Sequence, residues 1–145
     1  MSQQTLIDAA KAPIVAYNEK NWEAVTRAIA SDFAYDEVGT RRGVRGPADV
    51  IAVWKAWAGA LPDSKATFEA AHVSGDTVIL EVTWRGTHSG LLQTPAGDIP
   101  ATGRKIEVRA CQVVDVAADG KARSMRHYFD MATILAQLGV NTVGA

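Results

Sequence analysis

The sequence has one cysteine, Cys111, in 145 residues, which excludes an internal disulfide and leaves no paired thiols for a metal. In its strand-like run Cys111 reads as a small buried residue rather than a reactive thiol. Charge of either sign is not in excess: 15 basic against 16 acidic residues give a net charge of −1, and no basic cluster exceeds Arg41-Arg42. A phosphate backbone or an anionic bilayer finds no field to follow, so neither nucleic acid nor membrane is an expected partner. No apolar run approaches the ~18 residues that span a bilayer. Met1-Ser2-Gln3-Gln4 lacks the basic and apolar parts of a signal peptide, and the expected location is the cytoplasm. Zinc-ligand spacing, a glycine-rich phosphate loop and a Gly-x-Ser-x-Gly elbow are also missing. Chemistry here is expected to use acid–base side chains without a metal.

What is present is an ordinary globular composition, 48% hydrophobic and 21% charged. It fits one domain over residues 1–145, large enough to bury about 70% of its unfolded surface. Helical spacing of Leu6, Ala9, Ala10, Ile14 and Tyr17 predicts a first helix, in which Pro13 calls for a kink or a late start. A break follows at 18–21, and Asn21 caps a second helix carrying Trp22, Val25, Ile29 and Ala30. Phe33 to Val38 reads as a strand and Arg41 to Gly46 as a connector. Pro47 then opens a third helix carrying Val50, Trp54, Trp57 and Leu61, which Pro62-Asp63 ends.

The second half alternates with period two. Lys65–Val73, Thr77–His88, Lys105–Val116 and Lys121–Asp130 read as strands, the first and last pairs joined by Ser74-Gly75-Asp76 and Ala118-Asp119-Gly120 turns. A polar loop spans 89–103, and a short helix with Met131, Ile134, Leu135 and Leu138 closes the chain before Gly139. Helices followed by a meander of long strands define an α+β fold: a cone-shaped, strongly curved antiparallel sheet closed by three N-terminal helices, with a pocket at its opening.

Within that frame Asp130 is the leading candidate for chemistry. Between Phe129 and Met131 its carboxyl would be partly desolvated and poised as a base or acid. The competing role is N-cap of the closing helix. Ser124, Arg126, Tyr128 and Asp130 share one strand face; Met125, His127 and Phe129 make the other, which reads as a packed face. His88 follows the apolar stripe Val78, Leu80, Val82, Trp84, and either contacts a ligand or is satisfied within the fold. Asp36 and Glu37 point to opposite faces and cannot form a carboxylate pair. Phe33, Tyr35, Phe68, Trp54, Trp57 and Trp84 are candidates to wall a flat ligand site.

Several pieces together resemble the SnoaL-like polyketide cyclases of the nuclear transport factor 2-like superfamily. They are Tyr17-Asn18 with Trp22, Ser31-Asp32-Phe33, Gly43 to Gly46, Pro62-Asp63, Trp84-Arg85-Gly86-Thr87-His88-Ser89-Gly90, Thr102-Gly103-Arg104, Tyr128-Phe129-Asp130 and Gln137-Leu138-Gly139. The resemblance runs from about Ala9 to Gly139 and implies a cone-shaped α+β barrel, a homodimer and a small, apolar, polyketide-like partner. It also implies cofactor-free acid/base catalysis of an intramolecular aldol-type ring closure, with Asp130 as acid/base. Tyr128, placed to hydrogen-bond a substrate carbonyl or enolate, and His88 are the further catalytic candidates, and Glu37 and Arg126 are candidate substrate contacts. In such cyclases a histidine stands two residues before the aspartate; here that place is Tyr128, with His127 one step out of phase. Two alternatives stand beside this reading. One is a ketosteroid-isomerase-like proton shuttle, whose alignment puts Glu37 at the base but Pro13 at the tyrosine. The other is a non-catalytic binding or interaction domain.

Overall fold

A computed structural model of the chain describes residues 1–140. Helix α1 (Gln3–Asn18) starts where Ser2 Oγ accepts from Thr5 N–H, and it runs on through Pro13. The missing proline N–H leaves one helical bond unmade, and the ring is buried rather than marking an end. Asn21 caps α2 (Trp22–Ala28) through Oδ1 and the Ala24 N–H, as expected. That helix is shorter than its apolar spacing implied: Ile29 is extended and opens β1 (Ile29–Glu37).

A single 3-10 turn (Val38–Thr40) and Arg41, in the left-handed region at φ 57°, reverse the chain into β2 (Arg42–Arg45). The expected connector is therefore a strand, and its pairing sets Arg42 opposite Glu37. Gly46, at φ 84°, and Pro47 start α3 (Pro47–Ala60), which buries Val50, Val53 and Trp54.

The meander follows as β3 (Lys65–Ser74), β4 (Thr77–Thr87), β7 (Lys105–Val116) and β8 (Ala122–Phe129), ending in α4 (Met131–Gln137). The segment expected as a plain loop carries a small hairpin of its own, β5 (Leu92–Thr94) with β6 (Gly97–Ile99). Its entry is tight. A Cβ on Gly90 would overlap the Gly59 carbonyl oxygen, so only glycine lets this segment close on the end of α3.

The main sheet runs β2-β1-β8-β7-β4-β3. Every neighbouring pair is antiparallel except β1–β8, which is parallel, so the sheet is mixed where it was expected to be antiparallel throughout. Everything between β1 and β8 serves as the crossover that a parallel pair requires. Bulges between Phe68 and Ala70 and between Asp115 and Val116 add twist to the curved α+β sheet.

One face of this sheet is buried against the N-terminal helices. Phe33, Tyr35 and Glu37 come from β1, Val78, Leu80 and Val82 from β4, Gln112 and Val114 from β7, and Met125 and His127 from β8. The parallel register places Glu37 directly beside His127. Two strands far apart in sequence thus deliver the buried ionisable groups to one spot.

Candidate active site

Between the sheet and α1, α3 and α4 lies a cavity that, with the open space at its mouth, encloses about 580 Å³. Trp54, Trp57, Trp84, Phe129, Ile14 and Ile106 form much of its wall. Trp54 stands edge-on to Tyr35 at 5.5 Å and to Tyr17 at 6.1 Å between ring centres, and so fixes both tyrosines. The ionisable side chains in this wall are Tyr17, Tyr35, Glu37 and His127.

Three of them are one chain of hydrogen bonds. Glu37 is wholly buried, and its carboxylate accepts from four donors. Thr40 Oγ1 at 2.6 Å and Arg42 Nη2 at 2.9 Å meet Oε1; Tyr35 Oη at 2.8 Å and Trp57 Nε1 at 3.1 Å meet Oε2. Since Tyr35 gives its proton to Glu37, it must accept from His127 Nδ1–H, 2.9 Å away. The other ring nitrogen, Nε2, is then the acceptor. Trp84 Nε1–H donates to it at 3.2 Å, and the Gln112 amide NH2 lies at 3.4 Å.

The electrostatics agree with that tautomer. Burial pushes His127 from 6.5 down to about 4, only partly opposed by the Glu37 charge, so the ring is neutral near neutral pH. Burial, with the Glu37 charge next, raises the Tyr35 phenol well above its usual value, so its proton stays in place. At another part of the wall Tyr17 Oη and Ser64 Oγ are 2.6 Å apart, and burial raises the Tyr17 phenol to about 12.

Of the residues singled out from sequence, Tyr35, Glu37, Trp54, Trp57 and Trp84 line the cavity; the others stand elsewhere. Asp130 is exposed and outside the wall, where Oδ1 accepts from Ala132 N–H and Oδ2 from Thr133 Oγ1: it is the N-cap of α4. Tyr128 is 43% exposed and Arg126 pairs with Asp115 at 3.6 Å. The strand alternation explains both, because it is His127 and Phe129, not Tyr128, that face the cavity.

His88 is wholly buried away from the cavity wall. Its Nδ1 accepts from Thr102 N–H at 3.2 Å and lies 2.9 Å from Thr102 Oγ1, tying the two ends of the 89–103 segment together. Phe33 is likewise wholly buried, in the main core. Sequence reasoning gives no site role to Tyr17, Ser64 or Gln112, and reads His127 as packing. The available signal was a histidine on an apolar strand face between Met125 and Phe129, where burial has the largest effect on its charge. Among the described residues no three His, Cys, Asp or Glu side chains converge as metal ligands, and no helix is long and apolar enough to cross a membrane.

Helices packed on a curved mixed sheet around an aromatic cavity, with a buried polar relay in its wall, define an α+β pocket protein. The family model of the SnoaL-like polyketide cyclases matches residues 7–138, and the chain belongs to that family. No curated protein matches the chain. Among solved structures it is similar to IdmH of Streptomyces antibioticus, a candidate polyketide cyclase. That match has 28% identity and a TM-score of 0.78, covering 93% of this chain and 99% of that one. It is also similar in fold to TsrD of Streptomyces laurentii, at 20% identity and a TM-score of 0.81, covering 97% and 99%. An M. tuberculosis LEH-like epoxide hydrolase shares the fold at 21% identity and a TM-score of 0.71, covering 93% and 90%.

Proposed function

We propose that this chain is a cofactor-independent acid/base enzyme that closes or isomerises a small apolar carbonyl compound, with His127 as the proton-transfer group. Membership of the polyketide cyclase family supports the class of reaction. The observation that carries the assignment of His127 is its 2.9 Å bond to Tyr35, which in turn donates at 2.8 Å to Glu37. With Nδ1–H held by Tyr35 and, behind it, the Glu37 carboxylate, the neutral imidazole is fixed with Nε2 as its bare acceptor, the orientation a general base needs. Glu37 itself has all four acceptor positions in use, which suits a fixed charge better than a proton acceptor.

In the proposed step the substrate C–H bond beside a carbonyl breaks and its proton bonds to His127 Nε2. The electron pair passes into the carbonyl as an enolate. Trp84 N–H, displaced from Nε2, turns to the enolate oxygen, and apolar walls exclude water. The bonds at Nε2, 3.2 and 3.4 Å, are longer than the 2.9 Å bond at Nδ1, so this is the side that exchanges partners. In a ring closure the enolate carbon then attacks a second carbonyl, and the resulting alkoxide takes the proton back. Because the substrate delocalises the charge, the protein has only to orient it and keep Nε2 of the neutral His127 within reach.

A second reading, a non-catalytic binding domain, is favoured by one observation: Asp130, the acid/base expected from the family, is turned outward as a helix cap. Both readings meet in one experiment. Proton–deuterium exchange into methyl benzoylacetate, an apolar aryl β-keto ester, is followed by NMR for the wild type, His127→Gln and Asp130→Asn. Tryptophan fluorescence reports occupancy by the same compound. The proposal expects exchange that His127→Gln abolishes and Asp130→Asn keeps. Exchange surviving in His127→Gln would remove His127 from the mechanism; binding without exchange in any form would leave the binding domain.

A further inference from the structure

Gln112 of β7 is wholly buried, pairs across the sheet with His127 and does not line the cavity. Its amide NH2 is 3.4 Å from His127 Nε2, while its Oε1, also buried, has no hydrogen-bond partner among the described residues. An amide oxygen withdrawn from water and left without a donor is costly, and natural cores rarely keep one without a use. The resting arrangement cannot relieve it. Trp84 Nε1 is only a donor, so its approach to His127 Nε2 at 3.2 Å requires a bare nitrogen there, and the glutamine must also present its donor end.

Protonation reverses the demand. When Nε2 carries hydrogen, the amide NH2 at 3.4 Å opposes it, and rotation of the amide by half a turn brings Oε1 to the same place as an acceptor. We propose that Gln112 is a positioning residue for proton transfer: its amide turns over as His127 gains a proton, and Oε1 accepts from the new Nε2–H. This rests on the reading of His127 as the base, and it assigns the orphaned oxygen to the half of the cycle in which a donor exists for it. Tyr35 and Glu37 of β1 face the same ring, with Arg42 of β2 behind Glu37, Trp84 of β4 on Nε2, and Trp57 of α3 and Tyr17 of α1 in the shared wall. Of these only Glu37 and Arg42 carry fixed charge, and both act on the Nδ1 side through Tyr35. On the Nε2 side Gln112 is the group able to exchange donor for acceptor.

The test uses exchange into methyl benzoylacetate, separated into kcat and KM across pH, and the His127 ring 15N shifts, for Gln112→Met and Gln112→Glu. Losing one acceptor for a charged donor, Gln112→Met should lower kcat about 10-fold to 100-fold with KM unchanged. It should also shift the acidic limb of the rate profile to lower pH. Gln112→Glu keeps an acceptor and adds charge, so it should move that limb and the ring titration to higher pH. A purely structural role would reduce thermal stability and leave the limb in place in both variants, and that result overturns the inference. If Gln112→Met does not fold, Gln112→Glu decides alone: an unmoved limb and titration overturn it. Loss of exchange in His127→Gln combined with an unmoved Gln112 profile would sink only this inference; exchange retained in His127→Gln would sink the parent reading.

Discussion

Trp84 Nε1 donates to His127 Nε2 across 3.2 Å, and because an indole can only donate, that contact alone fixes which nitrogen of the histidine is bare. Removing the donor has two separable consequences. In Trp84→Phe the neutral imidazole loses a bond that its protonated form never had, so the His127 titration should rise from about 4. If the same N–H turns to the enolate oxygen, turnover should fall on the order of 100-fold. A base that titrates closer to neutrality in a slower enzyme is an unusual combination. It is read by ring 15N shifts together with exchange kinetics, and faster exchange in Trp84→Phe would show that Trp84 only blocks the base.

Asp130 provides the contrasting case. Its oxygens are occupied by Ala132 N–H at 3.1 Å and Thr133 Oγ1 at 2.7 Å. Asp130→Ala should therefore cost about 1 kcal/mol of stability through the lost cap, whereas asparagine, an equally good cap, should cost little. Neither should change kcat. Chemical denaturation and exchange rates measured side by side check this, and a collapse of turnover in a stably folded Asp130→Asn would return the acid/base role to Asp130.

The contrast between Asp130 and His127 shows what the sequence could and could not carry. Strand periodicity placed Lys105–Val116 at its observed limits and put Met125, His127 and Phe129 on one face. That periodicity is local, and local rules hold in this fold. Which face meets the cavity is a different matter. It depends on β8 lying parallel to β1 in the register that sets His127 beside Glu37, a pairing between segments about 90 residues apart. The same limit hid Arg42, since a four-residue edge strand with Gly43 inside it and Gly46 after it has little pattern to read. Tyr17 was placed on the correct helix but seen only as core; its hydroxyl's contact with Ser64 is likewise a long-range fact. Aromatic residues were easier, because Trp54, Trp57 and Trp84 have no place but the interior.

Burial of His127 also makes stability depend on acid. The ring's value is 6.5 when unfolded and about 4 when folded, lowered by desolvation with Glu37 partly opposing. Between those values the unfolded chain binds a proton that the native state refuses. The histidine's effect is therefore absent above pH 6.5 and destabilising as pH falls toward 4, where the loss levels off. At ~1.4 kcal/mol per pH unit the whole interval is worth about 3 kcal/mol. Other carboxylates slope in the same direction: Asp115, held low mainly by Thr77, and Asp63, held low mainly by the Thr87 N–H, lose their native bonds on protonation. Both titrate below the ordinary carboxylate value, however, so the interval just below 6.5 belongs to the histidine. Denaturant unfolding at closely spaced pH should show stability falling through that interval in the wild type and flat in His127→Gln. A wild-type curve with no slope there would mean that His127 keeps its ordinary affinity for a proton, and that the ring is more open to water than its position between Tyr35, Trp84 and Phe129 allows.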